Sequence, residues 1–276
     1  RPSRPAFPAG CPPARRPCGA IPANGCMGVT AIERVIDIFE TFEASQRPLS
    51  LTDLAEAVDM PKSTCHAIVS TLTARGYLYT LSRPRALYPT RRMFDVMHGI
   101  CAKDPFIERA TPVLERLRDA TRETVILGKR QGDSVIYLQV IEGLHTIRYS
   151  AKPGDFKPLH SSAIGKALLG SLKEAELRAW LKARKLPAVT ATTKVEHEAL
   201  VHEVLASRKL GYFVTRGENV SDVWAVAAFI TVHSETFAVA VAGPQHRIET
   251  SIAEMARLLV ASCSFLSRSS AEAPSG

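Results

Sequence analysis

Two short stretches carry the side chains best suited to chemistry. The first is Lys62-Ser-Thr-Cys-His-Ala-Ile-Val-Ser-Thr71, and from Met60 to Arg92 it lies in a span with six bases (Lys62, Arg75, Arg83, Arg85, Arg91, Arg92) and no acid. Cations displace counterions condensed on a nucleic-acid backbone, and short polar side chains let a helix approach base edges closely. The second stretch is Pro158-Leu-His-Ser-Ser-Ala-Ile-Gly-Lys166. His160 beside Ser161 and Ser162 invites a hydrolytic reading, but that chemistry also needs an orienting acid and an oxyanion site, and the sequence nominates neither. A plainer reading is that a serine caps a helix whose first N–H groups and hydroxyls seat a carboxylate.

Other chemistry finds little support. There is no GxGxxG, HExxH or GxSxG, and a phosphate-binding loop ending at Gly165-Lys166 would need glycine where His160 stands. Cys11, Cys18, Cys26, Cys65, Cys101 and Cys263 form no CxxC pair. No metal or cofactor is therefore expected, and reduced thiols suit the cytoplasm.

The elements that must position these residues follow from periodicity. Ile32, Val35, Ile36, Phe39 and Phe42 make an apolar stripe for a helix over about 30–44, with Thr30 and Glu33 as a capping box. After Pro48, Ser50 caps a second helix with Asp53 at its third position, and Leu51, Leu54, Ala55 and Val58 form its stripe. In the third helix, Pro61 suits the first turn and Cys65, Ile68, Val69 and Leu72 face the core. Its other face carries Lys62, Ser63, His66, Ala67, Ser70 and Thr71. Tyr77–Leu81 and Ala86–Tyr88 then form a hairpin tipped by Ser82-Arg-Pro-Arg85. By contrast, residues 30–59 hold seven acids against Arg34 and Arg47. Three helices and a basic hairpin make a winged helix-turn-helix, whose recognition helix enters the major groove while the wing reaches the backbone.

Beyond this module, Met93, Phe94, Val96, Met97 and Ile100 predict a connecting helix, and Phe106, Ala110, Val113, Leu114 and Leu117 a second one. From Val125 the period becomes that of strands. These are expected at Val125–Arg130, Ser134–Ile141, Thr146–Ala151, Tyr212–Thr215, Val223–Thr231 and Phe237–Ala242, with helices near 163–170, 173–182, 196–209 and 247–266. Hairpins join most neighbours, so the second domain is α+β, a mixed sheet with helices on its faces.

The length of 276 residues suits two domains, and 46% hydrophobic with 22% charged residues is globular in character. The longest apolar run, Val223–Val232, is short of the roughly 20 residues of a membrane span. Residues 1–26, rich in Pro, Ala and Arg, are expected to be disordered, with Met27 as a candidate native start.

From Thr30 to Leu266 the chain resembles the IclR family of bacterial transcriptional regulators. The resemblance rests on Leu49-Ser-Leu-Thr-Asp-Leu-Ala-Glu-Ala-Val58, Met60-Pro-Lys-Ser-Thr64, Thr71-Leu-Thr-Ala-Arg-Gly-Tyr77, Pro153-Gly-Asp155, Leu159–Leu168, Arg208-Lys-Leu-Gly-Tyr212, Glu218, Ala225-Val-Ala-Ala228 and Ala242-Gly-Pro244, in order and spacing. It implies an α+β chain with a winged helix-turn-helix domain (27–90), a linker helix (91–104), a GAF-like mixed α/β effector-binding domain (105–270) and a short disordered tail (271–276). It further implies a homodimer or homotetramer on a double-stranded DNA operator, and a small-molecule effector that alters DNA affinity by favouring one quaternary arrangement. Members commonly control catabolism of carbon sources or aromatic acids, as repressors or activators. The matching positions make Lys62, Ser63, Thr64, His66, Ser70, Arg83 and Arg85 the DNA-binding set. His160, Ser161, Ser162, Ala163, Thr215, Glu218, Ala225, Ala240 and Ala242 are the corresponding effector-binding set.

Departures from the family pattern carry information. Ala67 replaces a frequent recognition-helix arginine, which places more of the contact on His66, Ser63 and the wing. Thr215, Ala225, Ala240 and Ala242 replace aspartate, cysteine and serines of the pocket, while Phe229 and Asp222 replace proline and glycine. Such a pocket favours a ligand more apolar than a two- or three-carbon keto acid. The rival reading is an enzyme acting on a small acid through His160, Ser161 and Ser162, with the N-terminal helices as a docking module.

Overall fold

A computed structural model describes residues 30–82, 85–101 and 105–271. The chain divides between Lys103 and Asp104 into two compact units. In the first, helices α1 (Thr30–Ser45), α2 (Leu51–Ala57) and α3 (Lys62–Ala74) precede the hairpin β1 (Leu78–Ser82) and β2 (Arg85–Pro89), and α4 (Arg92–Cys101) ends the unit. Ser50 caps α2 as expected, accepting from the Asp53 N–H at 3.1 Å while Asp53 Oδ2 accepts from the Ser50 N–H at 3.3 Å. Pro61 stands just ahead of α3, as its cap.

The core of this unit gathers Ile38, Phe42, Leu54, Cys65, Val69, Leu72, Leu78 and Leu87. The expected stripe of α1 is therefore rotated. Ile38, left out of it, is fully buried, whereas Ile32 and Ile36 are exposed. The apolar stripe of α4 likewise faces outward in the single chain, at Phe94, Val96, Met97 and Ile100.

The second unit opens with α5 (Pro105–Thr121) and the strands β3 (Thr124–Gln131), β4 (Ser134–Ile141) and β5 (Phe156–Pro158). Helices α6 (Ala163–Gly170), α7 (Glu174–Lys182) and α8 (His197–Leu210) follow, then β6 (Phe213–Arg216), β7 (Val223–Val232), β8 (Glu235–Pro244), α9 (Gln245–Ile248) and α10 (Ile252–Ala271). The sheet order is β5-β4-β3-β8-β7-β6, and every pairing is antiparallel.

Two expectations fail here. Thr146–Ala151 is not a strand: it belongs to an irregular loop, and β5 pairs with the start of β4 at Ser134–Ile136. The helix expected over 247–266 is broken, because the chain turns between Ile248 and Ile252 with Arg247 drawn to the buried Glu123.

Alternation along the central strands gives the sheet two unlike faces. Ala225, Ala227, Ala238, Ala240 and Ala242 face α6, α7 and α8, whereas Val226, Ile230, Val239 and Val241 pack toward α5 and α10. Methyl groups leave space that branched side chains would fill, so the alanine face is where a cavity can persist. Helix α6 is buried along its whole length. It also lies unusually near the preceding turn, since a Cβ on Gly165 would fall 2.2 Å from the Leu159 carbonyl oxygen. No helix among the described residues is long and apolar enough to cross a membrane.

Candidate functional site

The exposed face of α3 is assembled as its periodicity requires. Cys65, Val69 and Leu72 are buried, which leaves Lys62, Ser63, His66, Ala67 and Ser70 in solvent, while Thr64 is half-buried. His66 and Ser70 line a cleft together with Thr80 and Arg85 of the hairpin and with Ser50 and Thr52 at the start of α2. Three of the nominated residues, His66, Ser70 and Arg85, thus share one concave surface, with Lys62 and Ser63 at the start of the same helix. Arg83 lies outside the described residues.

Not every base in the acid-free span is available to this surface. Arg91 is paired with Asp95 at 3.1 Å, and Arg92 stacks over the Tyr77 ring at 5.4 Å. Within that span, Lys62, Arg75 and Arg85 carry no ion pair among the described residues.

The second unit holds a cavity on the alanine face beneath the start of α6. Thr215, Ala225, Ala242 and Thr124 are successive register partners across β6, β7, β8 and β3. Thr215, Ala225, Ala240 and Ala242 line the cavity, and so do Ser162 and Ala163. Ser162 caps α6, accepting from the Gly165 N–H at 3.2 Å and donating to the Pro158 carbonyl at 2.7 Å. The N–H groups of Ala163 and Ile164, one turn too early for a helical partner, remain at the cavity wall.

Three nominated residues are placed elsewhere. His160 Nε2 meets the Pro187 carbonyl at 2.9 Å, Ser161 Oγ is buried without a partner among the described residues, and Glu218 is ion-paired. His160 and the two serines make their contacts apart from one another, and no hydrogen bond joins the imidazole to either serine hydroxyl among the described residues. Burial holds His160 below its ordinary value of 6.5, although the Pro187 carbonyl works in the opposite direction. The unfolded chain therefore takes up a proton near pH 6.5 that the folded chain resists, so the stability from neutral His160 falls as pH drops below that value. We expect the urea midpoint of this unit to decline between pH 7.5 and 5.5, and His160→Gln to flatten that decline.

Glu218 belongs to a buried ion network. Lys166 Nζ donates to Glu218 Oε2 at 2.6 Å and to Glu203 Oε1 at 2.9 Å, and Lys194 pairs with the other Glu203 oxygen. Burial alone would raise the Glu203 carboxyl, but Lys166 and Lys194 together hold it below the usual carboxylate range. Thr193 fastens the same region, donating to the Glu218 carbonyl at 2.7 Å. The network thereby fixes the segment that presents Asn219 and Val220 to the cavity.

Sequence reasoning missed Tyr137 and Tyr149, which also line the cavity. Burial first, and Tyr149 second, push the Tyr137 phenol well above its ordinary value, so it stays a neutral donor. The available signal was an aromatic hydroxyl on a buried strand face, which needs a partner. Tyr149 is carried by the irregular loop after β4, held where the Thr124 hydroxyl donates to its carbonyl at 2.5 Å.

Comparison with known proteins agrees with this division. Residues 31–82 match the IclR helix-turn-helix domain, and residues 99–268 match the C-terminal domain of the bacterial transcriptional regulator IclR. The HTH-type transcriptional regulator BhcR of Paracoccus denitrificans is 32% identical over 232 residues, 83% of each chain. The Thermotoga maritima IclR crystal structure superimposes with a TM-score of 0.76 at 23% identity, covering 87% of this chain and 98% of that one. An IclR homologue from Microbacterium hydrocarbonoxydans, solved with 4-hydroxybenzoate, has a TM-score of 0.68 at 21% identity, covering 87% of this chain and all of its own. The chain belongs to the IclR family of bacterial transcriptional regulators.

Proposed function

We propose that the chain binds an operator through the exposed face of α3 and the hairpin, and that a small organic acid with an apolar body, entering the alanine-floored cavity, changes that binding. The observation carrying this reading is the cavity itself, in which the free N–H groups at the start of α6 adjoin a floor of Ala225, Ala240 and Ala242. A helix start offers a carboxylate partial positive charge and donors, and the methyl floor favours a ligand larger and less polar than glyoxylate or pyruvate. The 4-hydroxybenzoate in the Microbacterium homologue is of this type. The regulated genes are then those for catabolism of such an acid. The working form is a homodimer or homotetramer on a two-fold operator in the cytoplasm, with the outward stripe of α4 available for self-association.

Fluorescence anisotropy with DNA flanking the chain's own gene tests the first half of the proposal. Affinity is expected to fall steeply with salt. Arg85→Ala weakens binding to all sequences alike and reduces the slope of log affinity against log salt by about 1, whereas His66→Ala alters sequence preference at particular positions by about 1–3 kcal/mol. A salt-independent association would refute the operator reading. Thermal-shift screening against organic and aromatic acids tests the second half, and reporter transcription gives the sign of regulation.

A further inference from the structure

Among the described residues, no charged side chain lines the cavity, whose polar members are Tyr137, Tyr149, Ser162, Thr215 and Asn219. The buried charges of α6 and its surroundings cancel. Lys166 and Lys194 face Glu203 and Glu218, two cations against two carboxylates in one hydrogen-bonded network. The counter-charge left for a ligand is therefore the start of α6, roughly half an elementary charge. Ser162 is committed to the Gly165 N–H and the Pro158 carbonyl, whereas two other groups are not. Thr215 shares the alanine face of the sheet with Phe213, while Val214 between them turns to the opposite face. Thr215 is 4% exposed, and its hydroxyl has no hydrogen-bond partner among the described residues. The carboxamide of half-buried Asn219, in the connection from β6 to β7, lines the same cavity and likewise has none. Buried polar groups are ordinarily paired, so an unpaired hydroxyl facing a cavity points to a ligand.

We infer that the cavity admits a single negative charge, seated at the start of α6, and that Thr215 and Asn219 are specificity determinants for a second polar group that carries no charge. The effector class is then a monocarboxylate bearing a hydroxyl, carbonyl or amide, and dicarboxylates are rejected. This rests on the reading of the cavity as an acid receptor and adds the charge that the ligand is allowed. The second carboxylate of a diacid would leave water for a wall without a cation, and an unpaired charge is the most costly group to bury. A neutral group of the same shape loses far less hydration. It also meets a hydroxyl and a carboxamide that can each donate and accept. Rejection of the diacid and recognition of the neutral group are therefore two effects of one uncharged wall.

The test is isothermal titration of the full chain at pH 7.5 with two pairs of acids matched in shape, in each of which an amide replaces one carboxylate: 4-carbamoylbenzoate with terephthalate, and succinamate with succinate. The wild type is expected to bind the amide of at least one pair about tenfold more tightly than its diacid, because only the diacid buries an unpaired charge. Thr215→Val keeps the shape without the hydroxyl and lowers affinity for that amide about two- to tenfold, the net worth of one hydrogen bond. Asn219→Lys sets a cation at the wall and raises affinity for the diacid about tenfold. A diacid bound by the wild type as tightly as its amide overturns the charge limit and leaves the acid-receptor reading standing. Unchanged amide affinity in Thr215→Val, or no gain of diacid affinity in Asn219→Lys, overturns the assignment of those residues. Binding of none of the four acids to the wild type overturns the acid-receptor reading and the inference with it. An unchanged thermal midpoint of both variants confirms that altered preference is not lost fold.

Discussion

Lys166→Met is expected to destabilise the C-terminal unit by about 3–5 kcal/mol, the range for removing one partner of a buried ion pair. The lysine side chain is 1% exposed and holds two carboxylates, of which Glu218 is 5% exposed and has no other salt bridge among the described residues. Methionine fits the length of the lysine stem, so packing changes little and the loss is electrostatic. Glu203 keeps Lys194, whereas Glu218 is left as an uncompensated charge in a dry interior. One consequence distinguishes this from a simple packing defect. The double variant Lys166→Met/Glu218→Gln is more stable than Lys166→Met alone, a coupling that a mutant cycle measures directly. Both tryptophans, Trp180 and Trp224, lie in this unit, so urea unfolding followed by tryptophan fluorescence reports it selectively. A double variant no more stable than the single one would remove the charge argument.

The same network gives Glu218 a place that its sequence position does not reveal. The resemblance placed it at the pocket, but its side chain faces Lys166, and only its neighbours Asn219 and Val220 reach the cavity. A sequence pattern marks a position without saying whether the residue touches ligand or fastens the segment that does. Helix α3 was read more fully, because its polar and apolar residues separate cleanly at a period of 3.6 and one assignment of faces satisfies both. In α1 the residues Ile32, Val35, Ile36, Ile38, Phe39 and Phe42 cover most of the circumference. Periodicity alone cannot choose among several apolar faces, and the choice falls to packing in the core with α2, α3 and the hairpin. The loop mistaken for a strand at Thr146–Ala151 has β-prone residues but pairs with no strand. Strand propensity describes fitness for a pleated, half-buried surface and carries no information on whether a partner is available. Tyr149 escaped notice for that reason: its place at the cavity depends on where a long irregular loop is anchored.

Filling the floor of the cavity gives the largest functional effect expected of a single substitution. Ala242 is 3% exposed, lies beside Ala225 in register, and lines the cavity from a central strand. Ala242→Ile adds three carbons on a β-branched side chain that suits a strand, directing them toward the cavity that Ala242 lines. Each newly buried methylene contributes about 0.8 kcal/mol when no clash offsets it, so the thermal midpoint is expected to hold or rise. Operator affinity in the absence of acid is expected to match the wild type, because α3 and the hairpin belong to the other unit. Acid binding, in contrast, is expected to fall about 10- to 100-fold, since overpacking costs about 1–3 kcal/mol and each 1.4 kcal/mol is a factor of ten. The variant would then hold one DNA-binding state whatever acid is supplied, which separates loss of sensing from loss of fold or loss of DNA recognition. Calorimetry with the acid that stabilises the wild type, run beside anisotropy with operator DNA, gives both measurements on one preparation. Retention of an acid-dependent change in DNA affinity by Ala242→Ile would place the effector outside this cavity.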